Sequence, residues 1–250
     1  MRARPRALNA LIAALFMIGS ACFALGTVPA YVTAVGPVPD AVTYFVGSIF
    51  FTSASFLQLV QSQSPAMSPE LGGDDWTWGP VVLRAWLPGN RGWMAAITQF
   101  PGTLAFNVST GFAIVMTLST DQAHKLVWVP DFVGSVLFLV ASAYGIAAVG
   151  PVEDLEPEMY SWQVAWLNMI GSIFFMLSAI ASDVFPHSHL QVDPRWASLG
   201  TFLGAVCFFS GAWLMLPEWR QARRIARREH PGAGGRATAP TPAADPAGTG

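Results

Sequence analysis

The sequence predicts an all-α membrane protein of six transmembrane helices, arranged as three repeated two-helix hairpins and followed by a disordered C-terminal tail. Its composition favours lipid as the solvent, because 53% of the 250 residues are hydrophobic and only 11% are charged, whereas soluble domains carry about 25% charged residues. One short motif occurs six times and gives the number of helices. Each copy lies in an apolar interval long enough to cross a bilayer.

The motif consists of a glycine, a small residue, two variable residues and a phenylalanine. Successive motif glycines are 28, 55, 32, 37 and 33 residues apart. These spacings predict three hairpins with an enlarged connection after the first. The motif pairs are Gly19 and Phe23, Gly47 and Phe51, Gly102 and Phe106, Gly134 and Phe138, Gly171 and Phe175, and Gly204 and Phe208.

The first predicted helix, residues 8–28, follows a basic start and therefore also fits a cleaved secretory signal. Two features favour a retained helix. The apolar stretch of 21 residues is long for a signal core, and it carries the same motif as the later helices. A discarded signal would not need to share a packing motif with the mature protein.

The other predicted helices and their connections follow in order. The five later helices are expected at 41–60, 93–118, 126–149, 159–182 and 196–216, and a short turn at 29–40. The hairpins then occupy 1–60, 93–149 and 150–217. Between the first two hairpins, the connection 61–92 is rich in tryptophan, which prefers the headgroup layer, so it is expected along the membrane surface. A basic juxtamembrane helix at 218–230 and a disordered tail at 231–250 complete the chain.

The basic residues predict the orientation of the helices. With six spans, both termini share one side, and eleven arginines fall on that side against Lys125 and Arg195 on the other. This asymmetry predicts both termini in the cytoplasm of a bacterial cell, with the helices in the inner membrane. Five arginines after the last span recur at helical spacing and are candidate contacts for anionic lipid headgroups: Arg220, Arg223, Arg224, Arg227 and Arg228.

Each motif defines one face of its helix. The positions three before, four after and seven after the glycine share that face with it. The residue seven after the glycine is always small, and the residue three before it is polar or hydroxyl-bearing in five of the six copies. Helices in lipid associate through small residues and interhelical hydrogen bonds, so this face is interpreted as a helix-packing surface.

An alternative interpretation is that these faces line a path for a small solute. The polar residues that would form such a path are Gln99, Asn107, Asp131 and Asn168. A transporter or channel built on the third and fifth spans is therefore the second functional hypothesis.

Four segments carry a family resemblance: YFVGSIFF at 44–51, QFPGTLAFN at 99–107, PDFVGS at 130–135 and NMIGS at 168–172. On these segments the chain resembles the YrhK-like family, small bacterial membrane domains of paired hydrophobic helices. The resemblance implies membrane residence and paired helices. It implies no known activity.

The sequence contains no pattern typical of an enzyme or of a nucleotide or cofactor site. His187 and His189 are of the right type for a transition metal, but two histidines in a proline-containing turn also occur by chance. No cofactor, catalytic group or nucleic-acid partner is therefore expected. The sequence predicts a multi-pass membrane protein with a structural or interaction role, whose partners are the bilayer and either another membrane protein or a second copy of the chain.

Overall fold

The computed structural model describes residues 2–67, 79–150, 160–182 and 194–229, except for the side chains of 194, 218, 219 and 221–229. This part of the chain is mostly helical, which confirms the all-α part of the predicted fold class. The helices are α1 (Pro5–Gly26), α2 (Pro29–Val35), α3 (Pro37–Ser62), α4 (Arg91–Ala113), α5 (Thr120–Ala123), α6 (Val129–Val149), α7 (Tyr160–Ala181) and α8 (Pro194–Glu229).

Short elements connect these helices. A 3₁₀ turn, Pro65–Met67, follows α3, and a π-helical turn, His124–Trp128, joins α5 to α6. Strand β1 (Arg2–Ala3) pairs antiparallel with β2 (Gly79–Pro80), so the start of the chain is tied to the connection between α3 and α4.

Local sequence explains where several helices begin. Proline occupies the first turn of α1, α2 and α3, where its fixed φ suits a helix and its missing N–H is not needed. Gly36 lies between α2 and α3 with φ of 84°, a conformation that residues with a Cβ rarely adopt. The side chain of Asn90 caps α4 by accepting a hydrogen bond from the Trp93 backbone N–H at 2.9 Å.

The six long helices form a closed ring in the order α1, α3, α4, α6, α7 and α8, with α8 contacting α1. The most extensive contacts join α1 to α3, α4 to α6 and α7 to α8. The ring is therefore assembled from three pairs of helices that are consecutive among the long ones. We call the end at which α1, α4 and α7 begin the near end, and the other the far end.

Five helical segments are long and apolar enough to cross a membrane, which is compatible with a multi-pass membrane protein: Pro5–Gly26, Pro37–Ser62, Thr120–Val149, Tyr160–Ala181 and Arg195–Pro217. Helix α4 has 23 residues but is not among them, because Gln99, Pro101 and Asn107 lower its hydropathy. Five helical segments therefore meet these criteria, one fewer than the six expected.

Some expected boundaries differ from the observed ones. The turn expected at 29–40 contains the short helix α2, and the helix expected to reach residue 118 ends at Ala113. Helix α8 continues through Pro217 to Glu229, so the last span and the basic segment after it form one helix. In the connection between α4 and α6, helix α5 begins with a capping box formed by Ser119 and Gln122.

The connection at 61–92 is partly described. Met67 is fully buried, and Ser64 Oγ accepts a hydrogen bond from the Val82 backbone N–H at 2.9 Å. Trp86 is 79% exposed and stacks edge-on against the buried Trp93. Trp76 and Trp78, on which the expectation of a surface segment partly depended, lie outside the described residues, as does the tail at 231–250.

Candidate functional site

In each helix pair, the motif glycine of one helix lies against the motif phenylalanine of the other. A Cβ added at Gly19 would lie 2.6 Å from the ring of Phe51 and 2.9 Å from the carbonyl oxygen of Gly47. A Cβ at Gly47 would in turn lie 3.0 Å from the ring of Phe23. The same reciprocal contact joins Gly102 to Phe138, Gly134 to Phe106, Gly171 to Phe208, and Gly204 to Phe175.

The six motif phenylalanines meet at the centre of the ring of helices. Within pairs, the ring centroids are 5.6 Å apart for Phe23 and Phe51, 5.2 Å for Phe106 and Phe138, and 5.1 Å for Phe175 and Phe208. Five further contacts, with centroids 5.7 to 6.4 Å apart, connect different pairs. Each ring is at most 6% exposed. We call these six residues the phenylalanine layer.

Small residues form the contacts between neighbouring pairs. The residue directly after each motif glycine is 0% exposed in all six copies: Ser20, Ser48, Thr103, Ser135, Ser172 and Ala205. Ser48 shares a hydrogen bond of 2.9 Å with Thr110, joining α3 to α4. Ser142 and Ser172 share one of 2.8 Å, joining α6 to α7.

These small residues were not assigned a role from the sequence, although a signal existed. Thr110 and Ser142 are both eight residues after their motif glycine, and positions one and eight lie two turns apart on the same helix face. The residue at position eight is small in every copy: Thr27, Ser55, Thr110, Ser142, Ala179 and Ala212. The sequence therefore contains a second periodic face, next to the first, formed by the small residues one and eight positions after each motif glycine.

The structure brings only two of the four residues of the predicted polar path together. Gln99 and Asn168 line the same cavity of about 140 Å³. Asn107 Oδ1 instead accepts a hydrogen bond from Thr52 Oγ1 at 3.1 Å, between α4 and α3. Asp131 lies in the first turn of α6, at the far end.

The cavity lies at one level on the near side of the phenylalanine layer. Five of its lining residues are seven positions along the helix from their own motif phenylalanine, which is about 10 Å at the helical rise: Phe16, Gln58, Gln99, Asn168 and Met215. The equivalent residue of α6 is Gly145, and a Cβ added there would meet nothing within 4 Å. We call these six residues the cavity layer.

The lining of the cavity includes both polar and apolar residues. Three carboxamides, those of Gln58, Gln99 and Asn168, line it together with the apolar side chains of Phe16, Phe208 and Met215. Gln58 Oε1 is buried and has no hydrogen-bond partner within the described part of the chain. Gln58 was not identified from the sequence, because it is eleven residues after its motif glycine and therefore beyond the positions that were aligned.

The remaining predicted sites are largely outside the described part of the structure. The backbone of α8 is helical through Glu229 and Arg220 is exposed, but the side chains of the other four tail arginines are not described. His187 and His189 lie outside the described residues.

Comparison of the chain with models of known families, with curated proteins and with solved structures gives no match. The YrhK-like resemblance therefore stays a prediction.

Proposed function

We propose that the chain is a six-span protein of the bacterial inner membrane, built from three repeated two-helix hairpins, with a structural or interaction role. The repeat is supported by the reciprocal contact of glycine and phenylalanine, which recurs in all three pairs. The pairs are also the most extensively contacting neighbours in the ring.

Helix α4 is proposed as a membrane span in addition to the five segments that meet the hydropathy criterion. Its 23 residues extend about 35 Å, enough for a hydrocarbon core of about 30 Å. The two carboxamides that lower its hydropathy lie within the bundle, since Gln99 lines the cavity and Asn107 bonds to Thr52. Lipid therefore need not solvate either group.

The phenylalanine layer is the observation that carries the structural role. It fills the centre of the ring, so a continuous polar route along the axis would have to cross six packed aromatic rings. Gln99 and Asn168 lie on the near side of this layer and Asp131 on the far side. This placement favours a packed scaffold over the transporter or channel considered as the alternative.

The proposed partners are the bilayer, with anionic headgroups at the tail arginines, and another membrane protein or a second copy of the chain. The outward faces of the helices are apolar, including Phe209, Trp213 and Val206 of α8. The asymmetry of basic residues supports a cytoplasmic location for both termini.

Reporter fusions test the proposed topology. A fusion after Gly250 and another in the connection at 61–92 should both be active only with a reporter that functions in the cytoplasm. A fusion between α4 and α6 should be active only with a periplasmic reporter. A periplasmic signal from the C-terminus together with a cytoplasmic signal from the connection at 61–92 would contradict the six-span topology. Periplasmic signals from both positions would contradict the proposed orientation.

Solute permeability tests the structural role against the alternative. The purified chain is reconstituted into vesicles, and the entry of glycerol, urea and small ions is followed by light scattering and by ion-sensitive dyes. Entry is expected at the rate of protein-free vesicles, because the phenylalanine layer blocks the axis. A protein-dependent increase in the entry rate of any of these solutes would refute a purely structural role.

A further inference from the structure

The cavity layer differs from the rest of the bundle interior in its chemistry. The phenylalanine layer fills the centre of the ring with six aromatic rings, whereas at the cavity level three carboxamides occur beside Phe16 and Met215. A cavity of about 140 Å³ results. At about 30 Å³ for each water-sized group, it has room for four to five such groups.

The side-chain oxygen of Gln58 is buried and has no hydrogen-bond partner among the described residues. A buried acceptor without a partner is costly, and buried carboxamides in folded proteins are normally hydrogen-bonded. Each carboxamide also offers N–H donors as well as an acceptor oxygen. The three carboxamides are therefore suited to a ligand that both donates and accepts hydrogen bonds.

The charge of the guest follows from the lining. None of the described residues that line the cavity is ionisable. An ion placed there would lose its hydration without gaining a countercharge, which is unfavourable inside a membrane protein. The apolar lining residues, among them Phe16, Phe208 and Met215, favour a hydrocarbon group.

We infer that this cavity is a binding site for a small neutral molecule of about four to five non-hydrogen atoms that carries an amide-like hydrogen-bonding end and an apolar end. Gln58, Gln99 and Asn168 hold the polar end, and Phe16, Phe208 and Met215 contact the apolar end. The phenylalanine layer closes the cavity toward the far end, so the site binds its guest and does not conduct it. This goes beyond the structural role and does not depend on it.

Acetamide and acetate form the matched pair of probes, since both have four non-hydrogen atoms and similar shapes but only acetate is charged. Their binding to the purified full-length chain in detergent micelles is measured by saturation-transfer NMR. Acetamide is expected to bind, weakly for so small a ligand, and acetate at least ten-fold more weakly. Gln58→Leu and Asn168→Leu are each expected to weaken acetamide binding at least about five-fold, as the loss of one hydrogen bond implies.

Asn107→Leu is the control, because it removes a carboxamide of the same helix bundle that does not line the cavity and should leave acetamide binding unchanged. Gln58→Leu removes an unpartnered polar group and should not lower the melting temperature, so a loss of binding cannot be attributed to unfolding. The inference is overturned if the wild-type chain shows no acetamide binding at a probe concentration of about 100 mM, far above a millimolar Kd, which would indicate a cavity that holds only water. Equal binding of acetamide to wild type and to Gln58→Leu, or equal binding of acetate and acetamide, would also overturn it.

Discussion

The interfaces within helix pairs and those between pairs both bring helices into close contact, but they do so with different residues. Within a pair, glycine lies under a phenylalanine ring and the backbones approach closely, as the 2.9 Å between an added Cβ at Gly19 and the Gly47 oxygen indicates. Between pairs, serine, threonine and alanine fill the contact, and hydroxyl groups join α3 to α4 and α6 to α7.

This difference shows how one short motif can specify a whole ring. Its first residue and its phenylalanine pack against the hairpin partner, whereas its second residue bonds to the neighbouring pair at Ser48 and Ser172. Lipid provides no hydrophobic gain when helices associate, so contact must come from close packing and from interhelical hydrogen bonds. Hydrogen bonds occur at both kinds of interface, since Ser178 of α7 bonds to Thr201 and to the Ala197 carbonyl oxygen of α8 within one pair. What distinguishes the interface within a pair is the close contact of motif glycine and motif phenylalanine.

The phenylalanine layer gives the largest expected effect. Phe208→Ala removes a ring that contacts Phe51, Phe138 and Phe175 and should lower the free energy of unfolding by about 3–5 kcal/mol. Phe209→Ala is the matched control, since the ring of Phe209 follows Phe208 in sequence but is 39% exposed. This substitution should change the free energy of unfolding by less than about 0.5 kcal/mol. Both are measured by unfolding the purified chain with SDS in mixed micelles. Similar losses for the two would contradict a stabilising role for the layer.

The close approach within pairs gives the next effect. Gly19→Ala would place a methyl group 2.6 Å from the Phe51 ring and should destabilise the chain by about 1–3 kcal/mol through overpacking. Gly145→Ala makes the same change where an added Cβ meets nothing within 4 Å, so it should be neutral or stabilising by up to about 1 kcal/mol. The melting temperatures of the two variants in the same detergent compare them directly. If Gly19→Ala melts at or above the wild-type temperature, glycine is not required for the contact.

Several features of this architecture were predictable from the sequence, and the reason is the physics of lipid. Apolar intervals long enough to span a bilayer identify helices without any need for tertiary information. Helix α4 is harder, because Gln99 and Asn107 make it less apolar, and only their contacts explain how such a helix can lie within a bundle. The continuation of α8 through Pro217 was also missed, since proline often ends a helix.

The cavity could not be predicted from the sequence, because it depends on the register between antiparallel helices. Gln58 and Gln99 occupy different positions relative to their motif glycines, and only the alignment of the six phenylalanines at one level brings them together. Asp131 occupies the same motif position as Gln99 and Asn168. It lies at the opposite end, because α6 runs antiparallel to α4 and α7.

The hydrogen bonds between pairs give the smallest effect and the sharpest contrast. Ser172→Ala removes the bond to Ser142 and should cost about 0.6 kcal/mol, with an upper value of about 1.7. Ser135→Ala removes a hydroxyl that is equally buried but has no partner among the described residues, so it should leave stability unchanged or raise it. Both changes replace a fully buried serine that directly follows a motif glycine. Because Ser172 Oγ also donates to the Asn168 carbonyl oxygen of its own helix and to the Phe138 carbonyl oxygen, the difference in unfolding free energy between the two variants measures these bonds together with the bond to Ser142. Combining Ser172→Ala with Ser142→Ala in a double-mutant cycle then measures the coupling directly. A coupling energy of zero would mean that the bond between Ser142 and Ser172 does not stabilise the contact between α6 and α7.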